Sequence, residues 1–314
     1  MIVRQEIFDT YWYLAAERQH IFFNKIKGVT PLTTDPIFLT YKFCNTYRAS
    51  DRVSQFLIKK VIYSGNFDGK DLLLRILLFR LLNKNETWTA LEEKIGTVTF
   101  SNFDFGTYRK ALKAIKEECG VLYGNAFILC ANKVFGYEKK YENHLALLEK
   151  IFEENIYINI LASKSLRELF NNLKLLPLIG NFMAYQIAID LNYSPLFDFD
   201  EDDFTMAGPG AIRGINKCFK NKGAMSNEEI IMFMVENQDK EFNRLGLDFR
   251  NLWGRKLKAI DAQGLFCETD KYARVRFPEL KSNRVSIKTK YQPQSLRIDY
   301  FYPPKWGVNE KIRL

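Results

Sequence analysis

The chain has 314 residues and a net charge of +9, with 47% hydrophobic and 26% charged residues. These proportions are typical of a globular protein with ample core, and the length allows one large or two modest domains. Five scattered cysteines without a CxxC pair, beside only two histidines, argue against a disulfide framework and a zinc site.

Neither a secretory signal nor a membrane span is visible in the sequence. Charges occur throughout the N-terminal segment, and the most apolar stretch, residues 72–82, is short and interrupted by Arg75 and Arg80. We therefore expect a soluble, cytoplasmic protein without a membrane partner. The basic balance favours a polyanionic partner such as nucleic acid, whereas the sequence does not indicate an oligomeric state.

In the N-terminal half, apolar residues at helical spacing predict a series of helices. Asp35 is placed to cap the second of them, with Pro36 at its first position, where a missing N–H costs nothing. The stretch 120–136 is compatible with a hairpin or a helix. The predicted helices cover residues 6–27, 36 to about 48, 50–62, 68–82, 87–95 and 105–119.

Helices continue through the C-terminal half, two of them opened by the capping-box pairs Ser165 with Glu168 and Ser226 with Glu229. Beyond residue 277, prolines and alternation replace helical periodicity. We predict a mainly α protein with a helical body over residues 1–275 and a basic, less regular C-terminal extension over residues 276–314. The predicted helices cover residues 138–152, 165–173, 181–191, 226–237, 254–263 and 265–275, and one more opens at Pro209.

Residues 173–214 contain a turn, a short predicted helix and an acidic loop. The segment LKLLPLIG, which ends at Gly180, resembles the hairpin of the helix-hairpin-helix DNA glycosylase superfamily, whose consensus is roughly Leu-Pro-Gly-hydrophobic-Gly before a helix. That superfamily carries a catalytic aspartate about twenty residues after the last hairpin glycine, and this spacing reaches Asp200.

Two positions depart from that consensus. Leu178 replaces the first hairpin glycine, which weakens the case for a tight phosphate contact there. Phe182 stands where lyase-type members keep a nucleophilic lysine, so the resemblance does not support Schiff-base chemistry. The alternative is an ordinary helix–turn–helix followed by a solvated acidic loop. Since magnesium needs only one or two carboxylates with a phosphate, the number of acids does not itself indicate a metal, and we expect no metal and no cofactor.

A second informative stretch, residues 41–52, places polar and charged groups at a predicted break between two helices. Arg48 and Arg52 are four residues apart and suited to share a helical face that binds phosphate, and Arg48 is also placed to pair with Asp51. The alternative is a capped helix junction with an exposed ion pair that contributes little. Glu268 and Lys271 are likewise one turn apart, and their alternative is a surface ion pair.

These residues, together with Asp200, the segment GPGA at 208–211, Arg213 and residues 267–272, resemble a known family. It is the helical domain of hydroxymethyluracil DNA kinases and of the related alpha-glutamyl/putrescinyl thymine pyrophosphorylases, also called amino acid:DNA transferases. The resemblance covers roughly residues 10–275. Because that family is considered glycosylase-like, the resemblance implies a helix-hairpin-helix glycosylase-like fold and modification of a thymine base in DNA.

In the implied pathway, 5-hydroxymethyluracil in DNA is phosphorylated and an amine then displaces the phosphate or pyrophosphate. The sequence has no GxxxxGK[ST] loop, so we expect the displacement step rather than the ATP-dependent one. Asp200 would deprotonate the amine or stabilise positive charge on the base, with Glu201 or Asp203 as second choices. The other residues expected at the substrate or its phosphate are Asn45, Arg48, Asp51, Arg52, Arg213, Glu268 and Lys271.

The expected partners are DNA that contains the modified base and an amine or amino-acid co-substrate. For Tyr185 the alternative to stacking on a base is a place in the core, and for the basic arm it is a solvated tail. The residues expected to contact DNA are Gly180, Tyr185, Gln186, Gly208, Gly210, Lys281, Arg284, Lys288 and Lys290.

Two other functions stay open beside base transfer. A monofunctional glycosylase would use Asp200 to activate water or to stabilise an oxocarbenium-like sugar, and it would leave abasic sites instead of a new modified thymidine. A non-catalytic DNA-binding module would tolerate Asp200→Asn without loss of binding.

Overall fold

The computed structural model describes residues 1–126, 132–280, 284, 286–287, 289–293 and 298–312. As predicted, the described chain is mainly α-helical. In chain order its strands and α-helices are β1 (Ile2–Val3), α1 (Gln5–Lys27), α2 (Pro36–Thr40), α3 (Arg52–Phe56), α4 (Gly69–Leu82), α5 (Asn85–Ile95), α6 (Phe105–Cys119), α7 (Lys140–Glu153), α8 (Ile156–Leu161), α9 (Leu166–Lys174), α10 (Asn181–Tyr193), α11 (Pro209–Cys218), β2 (Phe219–Asn221), α12 (Asn227–Arg244) and α13 (Ala259–Arg276).

Shorter helical pieces complete the described structure. A π-helix, Leu57–Ile62, continues α3 directly. Four 3₁₀ helices are Arg48–Ser50, Phe100–Asn102, Pro304–Trp306 and Asn309–Lys311. Among the described residues, every helix is too short or too polar to cross a bilayer.

The chain packs as two compact units. The first unit is Met1–Asp51 with Phe204–Leu314, and the second is Arg52–Asp203. The first therefore holds α1, α2 and α11–α13 with the antiparallel pair β1–β2, and the second holds α3–α10. The predicted boundary between residues 275 and 276 stays a prediction about domain organisation.

Aromatic residues of α1 form much of the core of the first unit. Tyr11 and Trp12 are fully buried. The Tyr11 ring lies 4.6 Å from that of Phe266 on α13, and the Trp12 ring meets Phe242 on α12 edge-on at 5.1 Å. Because such rings bury large areas in favourable tilted or edge-on geometry, they hold α1, α12 and α13 together.

Two glycines let α11 and α13 pack in close contact. A Cβ atom at Gly214 would lie 2.0 Å from the carbonyl oxygen of Phe266, and one at Gly210 would lie 2.7 Å from the Sγ of Cys267. The four-residue spacing puts both glycines on one face of α11. Helix packing therefore explains why position 210 is a glycine, and the expectation that it serves DNA contact is not needed to account for it.

Part of the C-terminal extension packs against the rest of the first unit. Tyr302 is fully buried, and its hydroxyl lies 2.9 Å from the hydroxyl of Ser50. The guanidinium of Arg255 stacks 3.6 Å above the ring of Trp306. The aromatic residues of this segment thus support the turn around residue 50.

In the second unit, α4 is buried along its whole length from residue 72 to 82. Its two arginines both have hydrogen-bond partners within the unit. Arg80 donates to Asp190 on α10 at 2.5 Å, and Arg75 donates to the carbonyl of Val61 at 2.7 Å. Arg75 therefore places its charge at the C-terminal end of the π-helix, where a cation is favourable.

The clearest difference from the predicted helices lies after α2, which ends at Thr40 rather than near residue 48. The amide of Cys44 donates to Glu268 at 3.1 Å, and the amide of Arg48 donates to Asp261 at 2.8 Å. Both acceptors are on α13. These distant acceptors replace the hydrogen bonds that a longer α2 would have formed.

Other boundaries moved for local reasons. α13 is one helix where two were predicted, because it continues through Gly264. Residues 254–258 are not helical, since Trp253 and Gly254 have φ of +49° and +101°. α12 runs seven residues further than predicted, to Arg244 rather than 237, and α8 was not predicted.

The two predicted capping boxes have different outcomes. At α12 the box is complete, because Ser226 and Glu229 each accept the other's backbone N–H. At α9 the side chain of Ser165 caps Glu168, whereas the carboxylate of Glu168 accepts from the amide of Lys164 at 2.8 Å. The helix begins as predicted, but the second half of the box uses the preceding residue.

The segment between α9 and α10 is a tight turn. Leu178 has a φ of +70°, the left-handed conformation that glycine favours. The position that carries the first glycine in the hairpin consensus thus keeps a glycine-like backbone although its residue is leucine. Gly180 then begins α10 as its N-cap. The identification of this turn as a DNA-binding hairpin stays a prediction.

Candidate active site

Polar side chains gather on the first unit where α1, the segment after α2 and α13 meet. The cluster is long-range in sequence, since its hydrogen-bonded members Cys44 and Glu268 are 224 residues apart. We call it the polar cluster, and its members are Arg18, Cys44, Asn45, Asp51, Glu268 and Lys271.

The polar cluster is built on α13. The segment after α2 runs antiparallel to α13, and side chains at helical spacing on α13 hold its backbone. The contacts are Lys271 Nζ to the carbonyl of Lys42, Cys44 N to Glu268 Oε2 at 3.1 Å, and Arg48 N to Asp261 Oδ1 at 2.8 Å.

The surface of α13 that carries the polar cluster is not packed along its whole length. Gly264 lies between Asp261 and Glu268 on the same face of α13, and a Cβ atom there would have no heavy atom within 4 Å. Cys44 is exposed to solvent, while Asp51 is only partly exposed. The cluster is therefore open to solvent on one side, with free space beside α13.

Asp51 is the most perturbed carboxylate of the cluster. Burial raises its pKa to about 6, although its hydrogen bond from the amide of Asn45, at 2.8 Å, and the charge of Arg18 work in the opposite direction. The side chain of Asn45 closes the same loop by donating to the carbonyl of Ser50 at 2.7 Å. A carboxyl with this pKa is mostly ionised at neutral pH and still accepts a proton readily.

Glu268 and Lys271 pair as the sequence predicts, with 3.2 Å between Nζ and Oε2. The pair is not a surface pair, because the two side chains are only 12% and 20% exposed. The ammonium of Lys271 also lies 4.4 Å from the centre of the Phe43 ring. Glu268, with Asp51, raises the pKa of the Cys44 thiol, so Cys44 is a poor nucleophile at neutral pH.

Arg18 completes the cluster from α1. Its guanidinium is partly buried, and burial lowers its pKa, while Asp51 and the thiol of Cys44 act in the opposite direction. Within the described residues Arg18 forms no hydrogen bond and no ion pair. It is thus a positively charged group near two carboxylates that binds neither of them.

Sequence reasoning missed Arg18. The signal is its position on the buried stripe of α1, at helical spacing from Leu14, Ala15 and Phe22. A charged residue on an apolar stripe is unusual, because its charge must either reach solvent or find a partner.

Arg48 and Arg52, which were expected to act together from one helical face, do not lie on one helix. Asp51 is extended, with φ −68° and ψ 144°, and interrupts the helix between Arg48 and Arg52. Arg48 lies in a 3₁₀ helix of the first unit and Arg52 begins α3 of the second. Arg48 and Arg52 therefore do not share one helical face, and their expected role at a phosphate stays a prediction.

Arg213 takes part in a second ionic group, around the buried Asp270. Its Nε lies 3.0 Å from Asp270 Oδ2, Lys217 lies 3.1 Å away and Arg274 2.5 Å away. Burial alone would raise the pKa of Asp270, but these cations lower it overall. Arg213 therefore has a structural partner, and its expected role at a phosphate stays a prediction.

The predicted catalytic acids lie in the loop after α10 of the second unit. Asp200 is exposed, and one of its carboxylate oxygens accepts from the amide of Asp202 at 3.0 Å. Asp203 is also exposed, whereas Glu201 is buried at 4% exposure. Because this loop and the polar cluster belong to different units, the expectation that Asp200 faces the residues near Arg48 stays a prediction.

The residues expected to contact DNA divide by burial. Tyr185 and Gln186 are 0% and 1% exposed, so the alternative weighed for Tyr185, a place in the core, describes it, and this burial argues against direct contact with a base by either residue. Gly180 is exposed and a Cβ there would meet nothing within 4 Å. Gly208 is the buried N-cap of α11.

The basic arm is described only in part. Lys281 and Lys288 lie outside the described residues. Arg284 and Lys290 are both exposed. The backbone of Lys290 forms an antiparallel bridge with Tyr41, which places Lys290 near the exposed Lys42 at the edge of the polar cluster.

Comparison with known proteins gave two matches. A family model described as "5-hmdU DNA kinase, helical domain" matches residues 5–282. The chain is also 30% identical over 290 residues to a curated protein of Bacillus phage SP10 named "5-hmdU DNA kinase". That alignment covers 85% of this chain and 45% of the relative, so the chain spans about half the length of the phage protein. No solved structure matches the chain.

Proposed function

Since the chain belongs to the family of the 5-hmdU DNA kinase helical domain, we propose that it acts on 5-hydroxymethyluracil derivatives in DNA. The observation that carries this proposal is the polar cluster, in which Asp51 and Glu268 lie beside the cations Arg18 and Lys271. Such a site suits a reaction that removes a proton from one group and stabilises negative charge on another.

The proposed reaction is displacement at the 5-methylene carbon of the base. The nitrogen of an amine forms a bond to that carbon while the bond from carbon to the phosphate oxygen breaks, and the electron pair leaves with the phosphate. The amine must lose one proton, and Asp51 is the proposed acceptor, because its pKa of about 6 leaves it ionised at neutral pH. Glu268 is available to orient the incoming ammonium.

The base reaches such a site only outside the double helix. Eversion of one nucleotide costs a few kcal/mol, which phosphate contacts elsewhere on the protein must offset. Two features of the protein support contacts with the DNA backbone. The turn before α10 has open space at Gly180, and Lys42 and Lys290 form an exposed basic edge beside the polar cluster.

Asp200 stays a second candidate for the proton acceptor, from the spacing to Gly180 alone. Its side chain is exposed, so it lacks the partly buried surroundings that favour Asp51 for the role. We therefore place Asp51 first and use Asp200 as the matched comparison.

Nucleoside mass spectrometry tests the proposal. The full chain is incubated with duplex DNA that carries 5-phosphomethyl- or 5-pyrophosphomethyl-deoxyuridine, with methylamine, glycine or putrescine as the amine, and the DNA is digested to nucleosides. The proposal predicts an aminomethyl-deoxyuridine adduct from at least one amine, which Asp51→Asn removes.

Other products would contradict the displacement step and identify what replaces it. Abasic sites would show a glycosylase. Phosphorylation of 5-hydroxymethyluracil DNA that depends on ATP would show a kinase. Binding to modified DNA without any product would show a non-catalytic module.

A further inference from the structure

Gly264, in the middle of α13, is a glycine that the fold itself does not require. A glycine inside a helix lowers stability relative to alanine, because its unfolded backbone is more flexible. At Gly214 on α11, close packing against Phe266 accounts for the glycine. At Gly264 a Cβ atom would meet no heavy atom of the described residues within 4 Å, and the backbone there has no positive φ. Neither packing nor backbone conformation therefore explains this glycine.

The space above Gly264 is partly open to solvent and lies between two walls. At 3.6 residues per turn, Asp261 and Glu268 flank Gly264 on one side of α13, and Cys267 flanks it on the other. Asp261 and Glu268 accept from backbone amides of the segment after α2, at 2.8 and 3.1 Å. Cys267 lies against the start of α11, where a Cβ atom at Gly210 would be 2.7 Å from its sulfur. We call the space between these walls the α13 recess.

Gln263, next to Gly264 on the Cys267 side, has a buried amide with little to bind. The residue is only 3% exposed. Within the described part of the chain its amide makes one hydrogen bond, from Nε2 to the sulfur of Cys267 at 3.9 Å, and sulfur is a weak acceptor. Buried amides normally have stronger partners. The Gln263 amide therefore has hydrogen-bonding capacity to spare at the edge of the α13 recess.

A flat ring with a polar edge fits both observations. A helix surface without a side chain allows a planar group to approach the backbone closely, and an amide pairs with the donor and acceptor on the edge of a pyrimidine base. Enzymes that evert a base recognise it through hydrogen bonds of this kind. An aliphatic ammonium fits less well, because it has neither a flat face nor an acceptor.

We propose that the α13 recess receives the pyrimidine ring of the everted base, with Gly264 beneath the ring and Gln263 at its edge. This assignment rests on the proposed function, in which a 5-hydroxymethyluracil derivative leaves the double helix. Gly264 and Gln263 then bind the ring itself, whereas the neighbouring Glu268 and Lys271 of the polar cluster lie beside its 5-substituent.

Substitution at Gly264 should separate binding of the base from folding. The full chain is titrated into a duplex that carries one 5-phosphomethyldeoxyuridine beside a 2-aminopurine, whose fluorescence rises when the neighbouring base leaves the stack. Gly264→Leu should abolish the rise that the wild type produces, and Gly264→Ala should reduce it, because each added group occupies space that the ring needs. Gly264→Ala should not lower the melting temperature, since it replaces a helical glycine at an open position.

A control variant and a second substitution in the α13 recess sharpen the test. Asn216→Leu adds an apolar side chain at an exposed position of α11 in the same unit, and it should leave the fluorescence rise unchanged. Gln263→Met keeps the length of the side chain and removes the amide. It should reduce the rise without lowering the melting temperature, because the amide has only a weak partner in the protein. A purely structural glutamine would show the opposite pattern.

Nucleoside mass spectrometry on the same variants keeps the two proposals apart. If the wild type forms adduct and both Gly264 variants evert the base normally, the assignment to the α13 recess is wrong while the proposed function stands. If eversion depends on Gly264 but no amine gives an adduct, the recess binds the base and the proposed displacement reaction is wrong. If the wild type does not evert the base, both proposals are wrong.

Discussion

Asp51 and Asp200 are two carboxylates that sequence motifs single out, and the structure gives them different surroundings. Asp51 is partly buried in the polar cluster of the first unit, and burial raises its pKa to about 6. Asp200 is exposed in the loop after α10 of the second unit, and its carboxylate is held by the amide of the residue two positions on. Asp200 is a candidate proton acceptor because of its spacing to a sequence motif. Asp51 is a candidate because of the surroundings that the structure gives it.

The difference teaches how a carboxylate acquires a role. Burial changes the proton affinity of a carboxylate by whole pKa units, and such a change makes an acid a candidate for proton transfer. The contacts that produce this environment at Asp51 come from Asn45 nearby and from α1 and α13 far away in sequence. The two acids therefore form a natural pair of test positions.

The largest expected effect is on the reaction itself. Asp51→Asn should lower kcat about 10²- to 10⁴-fold, the usual contribution of a general base, while Asp200→Asn should lower it less than about tenfold. Initial rates of adduct formation on phosphomethyl DNA measure both. The reverse order would assign the proton transfer to Asp200 and leave Asp51 as a structural acid.

The same comparison predicts a pH dependence. Because the acceptor must be ionised, kcat should fall about tenfold per pH unit below about pH 6 in the wild type and reach a plateau above it. A rate that stays constant from pH 7 down to pH 5 would rule out Asp51 as the proton acceptor.

Stability should show the opposite dependence on pH. The pKa of Asp51 is raised by folding, so the folded state binds its proton more tightly. The stability contributed by that proton is present below the unfolded pKa and is lost as pH rises through about 6. Asp51→Asn should therefore gain free energy of unfolding relative to wild type between pH 4 and pH 7, measured by urea denaturation. Asp200→Asn serves as the control for the removal of an exposed carboxylate.

The sequence predicts local features of this chain well and long-range ones poorly. The helix over residues 105–119 is found with its exact bounds, because its buried residues repeat at helical spacing and Asp104 caps it. The end of α2 is missed because the acceptors for Cys44 and Arg48 are on α13. No local pattern carries information about partners that lie more than two hundred residues away.

The residues of the candidate site divide in the same way, into those that the sequence predicts and those that it does not. Asn45, Asp51, Glu268 and Lys271 were found through pattern and family resemblance, and the structure brings them together. Arg18 was missed because it lies in a helix read for its aromatic core. Arg48 and Arg52 do not share the continuous helix that was expected, because the extended Asp51 interrupts it.

One glycine in each unit provides a further test, with a smaller expected effect. Gly214 lies in a closely packed region, and Gly180 lies in an open one. Gly214→Ala should destabilise the protein by about 1–3 kcal/mol, because its Cβ would overlap the carbonyl oxygen of Phe266. Gly180→Ala should change the free energy of unfolding by less than about 0.5 kcal/mol, because its φ of −85° suits any residue and the space is empty. Chemical denaturation measures both.

In a DNA-binding assay at matched temperature, the order of the two effects should be reversed. Gly180→Ala should lower the affinity for DNA more than Gly214→Ala does. Gly180→Ala should weaken binding of any duplex if a phosphate approaches the start of α10. Gly214→Ala should bind normally wherever it remains folded. Equal DNA affinity for Gly180→Ala and wild type would remove the turn before α10 from the proposed interface.

The smallest expected effect concerns the backbone of that turn. Leu178 holds a φ of +70°, which costs a non-glycine residue about 1–2 kcal/mol. Leu178→Gly relieves this cost but loses a partly buried side chain and gains unfolded-state entropy. The opposing terms should leave its stability within about 0.5 kcal/mol of wild type. Leu176→Gly, at a buried position in the same turn, should lose about 2–5 kcal/mol. A large loss for Leu178→Gly would mean that its side chain, and not a glycine-like backbone, is what this turn requires.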